Sequence, residues 1–144
     1  MLGRSLILKT AAWKPVERLV RRSFLFRPLV RRFIAGDTLE EAMTHAEKLA
    51  ERGLATSLDY LGENTLNETE ALAAKATYIA MLERIARSPH RDRINISIKL
   101  TQCGLDQGES FAERNFREVL TVAAKTDTFV RVDMESSDYT ERTI

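Results

Sequence analysis

The sequence predicts an α/β chain, a basic helical arm followed by the first three βα units of a (βα)8 TIM-like barrel that is incomplete in this chain. Three observations carry that prediction. Ile94-Asn95-Ile96-Ser97-Ile98-Lys99-Leu100 alternates apolar and polar side chains with the period of two that a strand imposes. Helical periodicity separates it from two further strand-like runs, one on either side. An ionisable residue stands near the C-terminal end of each run, Asp59, Lys99 and Asp133, with separations of 40 and 34 residues. An eight-unit barrel allots roughly 31 residues to each βα unit, and barrel enzymes put their chemistry at the C-terminal strand ends.

The arm, residues 1–53, comes first. Its first 35 residues hold nine Lys or Arg against Glu17 alone, about +8, and leave about −7 on the remainder of a chain whose net charge is +1. Trp13, Val16, Leu19 and Val20 form one helical face and Lys14, Arg18, Arg21 and Arg22 another. Pro28 resets the chain, and Leu29, Val30, Phe33 and Ile34 make a second stripe opposed by Arg31 and Arg32. Lys9 interrupts the early apolar run, so nothing approaches the ~20 residues of a membrane span. Such a basic arm suits packing on its own domain, contact with an anionic membrane surface, or organellar targeting. Missing aromatic interleaving argues against nucleic acid.

Gly36-Asp37 breaks the pattern, and Thr38-Leu39-Glu40-Glu41 is a capping box. Leu39, Ala42, Met43, Ala46, Leu49 and Ala50 then follow a helical period, and Gly53 is placed to end it in a left-handed cap. Residues 54–144 form the barrel portion. Leu54–Leu61 reads as the first strand. Asn67 with Glu70 caps a helix with the stripe Ala71, Leu72, Ala76, Ile79, Leu82, Ile85 and Ala86, stopped by Ser88-Pro89. The alternating Ile94–Leu100 is the second strand. Ser110-Phe111-Ala112-Glu113 reads as a further capping box, with Phe116, Val119, Leu120 and Ala123 as the stripe of a helix running to Lys125. Phe129–Met134 is the third strand, with Phe129, Arg131 and Asp133 on one face; Ser136–Ile144 opens another helix.

The composition, 44% apolar and 30% charged over 144 residues, is that of a globular domain with its own core. One cysteine excludes an internal disulfide and points to a reducing, cytoplasmic setting; with two histidines it cannot make a zinc cluster. No Walker-type sequence and no G-x-G-x-x-G is present. A lysine at a strand end is, taken singly, most often solvated or ion-paired. Asp59, Lys99 and Asp133 on adjacent parallel strands would crowd opposite charges at one mouth, which requires mutual pairing or a charged ligand. Arg131 reads as a structural ion-pair partner within the barrel. Cys103 reads as a bystander in the loop.

At these residues the sequence resembles a known family. Leu58-Asp59-Tyr60-Leu61-Gly62-Glu63, Ile96-Ser97-Ile98-Lys99-Leu100-Thr101-Gln102-Cys103-Gly104-Leu105-Asp106 and Phe129-Val130-Arg131-Val132-Asp133-Met134-Glu135 look like the first three strand motifs of bacterial monofunctional proline dehydrogenases. Leu29 to Ala42 looks like that family's helical approach to its barrel. The resemblance implies FAD as cofactor, oxidation of L-proline to 1-pyrroline-5-carboxylate, and a membrane quinone as electron acceptor, met peripherally at the inner membrane. It implies that Lys99 binds the proline carboxylate, that Asp133 is the catalytic acidic residue, acting as an organiser of the charged site, and that Met134 contacts FAD. It also implies that Glu63 closes the site by pairing with an arginine late in the barrel. That arginine and strands four to eight are absent here. The expectation is therefore the front of a longer enzyme, inactive by itself. The alternatives are an inactive remnant, a membrane- or partner-binding α/β module, and another flavin-dependent amine or folate oxidoreductase.

Overall fold

In the computed structural model, residues 34–62 and 65–144 are described, and the basic stripes read over residues 1–33 lie outside them, as does Glu63. Contacts divide the chain into two units, Met1–Glu41 and Ala42–Ile144. In the first, the Glu41 N–H donates to Thr38 Oγ1 at 3.3 Å, and the Glu41 carboxylate accepts the Asp37 N–H at 2.9 Å. The capping box thus forms, with its return bond displaced by one residue. The helix it opens, α1, spans Leu39–Glu51 and buries Met43, Ala46 and Ala50. Gly53, at φ +82, ends it: its N–H meets Ala50 O at 2.9 Å and the Leu54 N–H meets Leu49 O at 3.0 Å, the paired bonds of a Schellman cap.

Strand and helix then alternate as β1 (Thr56–Asp59), α2 (Glu68–Ala86), β2 (Ile94–Ile98), α3 (Glu109–Thr126), β3 (Val130–Val132) and a short α4 (Thr140–Thr143), with single 3-10 turns at Arg91–Arg93 and Ser137–Tyr139. The sheet is parallel in the order β1-β2-β3. Leu58 pairs with Ile96 and Ile96 with Val130; Asp59 pairs with Ser97 and Ser97 with Arg131. Side chains alternate along a strand, so this register sorts the sheet into two faces. One carries Leu58, Ile94, Ile96 and Ile98, all buried, and α2 packs against β2. The other carries Asp59, Asn95, Ser97, Lys99, Arg131 and Asp133. The alternation read in the sequence is therefore the division between an apolar outer layer and a polar inner one. All three strands are shorter than the sequence suggests, β2 included, which ends at Ile98.

Two helix readings change. The α2 face that is buried runs Ala71, Ala74, Tyr78, Met81, Leu82 and Ile85, while Leu72 is 43% exposed. The helix must serve both β2 and α3, and the face turned to both is centred on Tyr78, whose hydroxyl finds a buried partner. The Asn67–Glu70 cap forms as read, with the Glu70 N–H on Asn67 Oδ1 at 3.0 Å. The box at Ser110 does not form. The helix starts at Glu109 after Gly108, which has φ +143 and no side-chain cap, and Glu113 pairs with Arg117 instead at 2.7 Å. Leu120 is correspondingly 39% exposed, and the buried face is Ala112, Asn115, Val119 and Ala123. Glu47 ties α1 to the end of α2, accepting from Arg84 at 3.2 Å and from the Ser88 hydroxyl at 2.8 Å. Lys75 and Glu118 join α2 to α3 at 2.7 Å. No helix among the described residues is long and apolar enough to cross a membrane.

The turn between β2 and α3 depends on Gly104. Its φ is +96, and a Cβ there would lie 2.5 Å from the Phe111 ring and 3.2 Å from Ala71 Cβ. Gly104→Ala is expected to lose at least ~1 kcal/mol of stability, since both the conformation and the space are wrong for a side chain. Denaturant unfolding of the variant checks this; an unchanged midpoint would contradict it.

Candidate active site at the strand exits

The polar face of the sheet converges at its C-terminal edge. Asp59 is the last residue of β1, Lys99 follows the last residue of β2, and Asp133 follows β3, with its N–H extending the ladder to Ile98 O at 2.9 Å. Lys99 Nζ lies 3.0 Å from Asp59 Oδ2 and 3.2 Å from Asp133 Oδ2. Only 13% of the lysine side chain is exposed, against about a third of either carboxylate. The parallel register produces this geometry: all three side chains lie on one face, Lys99 level with Asp133, and Asp59, level with Ser97, one side-chain step earlier.

Electrostatics follow from the spacing. Burial works against the charge on Lys99, but hydrogen bonds to Asp59 and Asp133 outweigh it and hold the ammonium's pKa above the usual lysine value. Asp133 moves the other way. The Ser97 hydroxyl donates to its Oδ1, and that bond, with the Lys99 contact and against the cost of burial, holds its carboxyl below the usual aspartate range. An ammonium has three hydrogens, and two point at carboxylates, so one donor is left for an anionic ligand.

The sequence-predicted residues separate as follows. Asp59, Lys99 and Asp133 are brought together. Met134 stands next to Asp133 at the exit of β3 and is 56% exposed. Arg131 is exposed, has no carboxylate within ion-pair distance among the described residues, and acts on Asp133 as a nearby positive charge. Cys103 is 1% exposed, and burial followed by the Glu135 charge pushes its thiol up to about 12, which makes it inert as a nucleophile. No group of acidic, cysteine or histidine side chains among the described residues could hold a metal ion.

Several residues at the site were not singled out by sequence. Ser97 is one, although its place two residues before Lys99 put it on the same face. Glu135 is another: its carboxylate accepts the Thr101 N–H at 3.1 Å and the Thr101 hydroxyl, stitching the β3 exit to the β2 exit. Thr65 donates to Thr101 O at 2.8 Å, and, without touching the charged cluster, Asn115 Nδ2 of α3 donates to Cys103 O at 2.9 Å. These contacts join residues 12 to 36 apart in sequence, so no local pattern signals them.

A protein-family model described as Proline dehydrogenase matches residues 42–144. Proline dehydrogenase 1 of Bacillus subtilis (strain 168) is 38% identical over 114 residues, which are 79% of this chain and 37% of that protein. Bifunctional protein PutA of Escherichia coli (strain K12) is 30% identical over 141 residues, 89% of this chain and 11% of that one. A crystal structure of proline utilization A (PutA) from Bdellovibrio bacteriovorus, inactivated by N-propargylglycine, superposes with a TM-score of 0.74 at 20% identity, covering 92% of this chain and 17% of that chain. That likeness shows the fold. The chain thus spans little more than a third of the length of the Bacillus protein it matches.

Ser97→Ala is expected to raise the pKa of Asp133, read by carbon NMR titration of its carboxyl; an unmoved titration would exclude the Ser97 bond as the cause. A carboxyl held low in the folded state stabilises above its unfolded pKa, and that contribution is lost as pH falls through the folded value. The stability gap between wild type and Ser97→Ala should therefore narrow as the solution is acidified through the carboxylate range.

Proposed function

This chain belongs to the proline dehydrogenase family, and on that premise we propose that it carries the substrate-holding part of an enzyme oxidising L-proline to 1-pyrroline-5-carboxylate. The observation that carries the reading is Lys99, enclosed between Asp59 and Asp133 where three parallel strands end. Its remaining N–H takes the proline carboxylate in a charge-assisted bond, which holds the ring in one orientation. The oxidation removes a hydride from the ring carbon beside the amine and a proton from the nitrogen. A carboxyl held below its usual range is a weak proton acceptor at neutral pH, so Asp133 serves by fixing Lys99 rather than by taking that proton.

The family resemblance implies FAD, which when bound supplies the two-electron acceptor. The residues here fit part of that group. Met134 offers an exposed, polarisable surface beside the charged cluster, suited to a flat ring. The sequence has no G-x-G-x-x-G phosphate cradle, and the chain spans 37% of the length of the Bacillus relative. In the same proposal Glu63 closes the site and electrons pass to a membrane quinone. The basic stretch of residues 1–35 is the segment suited to peripheral contact with the anionic cytoplasmic face of the inner membrane.

Anaerobic addition of L-proline to the native-length protein carrying these residues is expected to bleach the visible band of bound flavin. The 144-residue chain alone is expected to purify colourless and to give no proline-dependent reduction with added FAD. A native-length protein whose flavin proline does not reduce would overturn the proposed activity. A yellow 144-residue chain bleached by proline would overturn the need for further units.

A further inference from the structure

Gln102 is fully buried, and every hydrogen-bonding position of its carboxamide is used on a backbone or a buried phenol. Its Nε2 donates to Tyr60 O at 2.6 Å and Gly62 O at 3.0 Å. Its Oε1 accepts from the Tyr78 hydroxyl and, at 3.4 Å, from the Lys99 N–H. Tyr78 is itself fully buried, and burial, ahead of the nearby Asp59 charge, raises its pKa far above the usual tyrosine range. It is therefore a phenol and a donor, which settles which end of the Gln102 amide is oxygen. The Tyr78 ring also meets Tyr60 edge-on, with centroids 6.2 Å apart at 81°.

The arrangement has a specific consequence. Tyr60 directly follows Asp59, so one carboxamide holds the backbone next to Asp59 and the backbone of Lys99 itself. Neither strand ladder does this, because β1 ends at Asp59 and β2 at Ile98. We propose that Gln102, supported by Tyr78, is a positioning residue for the reaction, setting the spacing between Asp59 and Lys99 at which the lysine is aimed at the substrate carboxylate. The inference rests on the proline reading above. A Gln102 variant would leave the cation present but misplaced, so substrate binding suffers before the chemical step.

The test uses Gln102→Met and the milder Tyr78→Phe in the native-length protein, with Asn115→Ala as a comparator. Asn115 is also a buried amide tied to a loop carbonyl, that of Cys103, on the same connection. Two quantities are read, amide exchange at Tyr60–Gly62 and the kinetics with proline. Gln102→Met should speed exchange at Tyr60–Gly62 and raise KM roughly 5- to 10-fold, the part of the lost carboxamide bonding that reaches the lysine's position, with kcat per bound flavin little changed. Tyr78→Phe should move both in the same direction by less, and Asn115→Ala should lower Tm without moving KM. The proposal is overturned if exchange at Tyr60–Gly62 is unchanged, if KM is unchanged while exchange rises, or if Asn115→Ala raises KM as much. Should wild type not turn over proline, the proposed activity fails, and exchange alone then decides whether Gln102 holds this segment.

Discussion

An ammonium with little access to water has to recover its lost hydration from neighbours, and Lys99 recovers it from two carboxylates about 3 Å away on the strands to either side. Much else in the domain serves that requirement. Both acids must arrive on the lysine's face of the sheet, and the parallel register does this with Asp133 opposite Lys99 and Asp59 opposite Ser97. Both flanking strands must be held, which fixes the outer helices. The isoleucines of β2 supply the holding force: Ile94, Ile96 and Ile98 are essentially inaccessible, and fully burying each contributes about 1.5–3 kcal/mol. An apolar layer behind the sheet thus stabilises a charged layer in front of it.

The connection from β2 to α3 extends the same logic beyond the ladder. Strand hydrogen bonds stop at the mouth, and side-chain bonds continue from there. Glu135 holds Thr101, Gln107 Nε2 holds Thr65 O at 2.8 Å, and Gln102 holds Tyr60 and Gly62. Farther along, Tyr139 and Arg142 reach Asp106 at 2.9 Å and 3.6 Å. A loop whose polar groups are paired in this way is a rigid support for the strand exits it joins.

What the sequence disclosed follows from the range of each interaction. Period-two alternation in Ile94–Leu100 is local, and it announced both the strand and its two faces. The Thr38 and Asn67 caps are also local and form. The Ser110 box was equally plausible by pattern, but Gly108 begins the helix earlier, and a residue's place relative to the helix start decides whether it can cap. Tyr78 did not register in the α2 stripe because the partner that makes a buried phenol tolerable is Gln102, 24 residues away. The Asp59–Lys99–Asp133 cluster was legible because each is the ionisable residue at the C-terminal end of its strand and all three share one face. Ser97 shared their face but found its partner only through the pairing of β2 with β3, and Gln102 and Glu135 act through contacts 34 to 42 residues apart that no local pattern signals.

The central claim is that Lys99 recognises the carboxylate of proline. The direct measurement is binding to the native-length protein of L-proline and of pyrrolidine, the same ring without the carboxylate, in wild type and in Lys99→Ala. The account predicts that the substitution weakens proline by roughly 10- to 100-fold, as for loss of a charge-assisted bond, and leaves pyrrolidine and flavin content unchanged. An equal loss for both ligands would contradict it, and would make Lys99 a structural member of its ion-pair cluster instead of a substrate-binding residue.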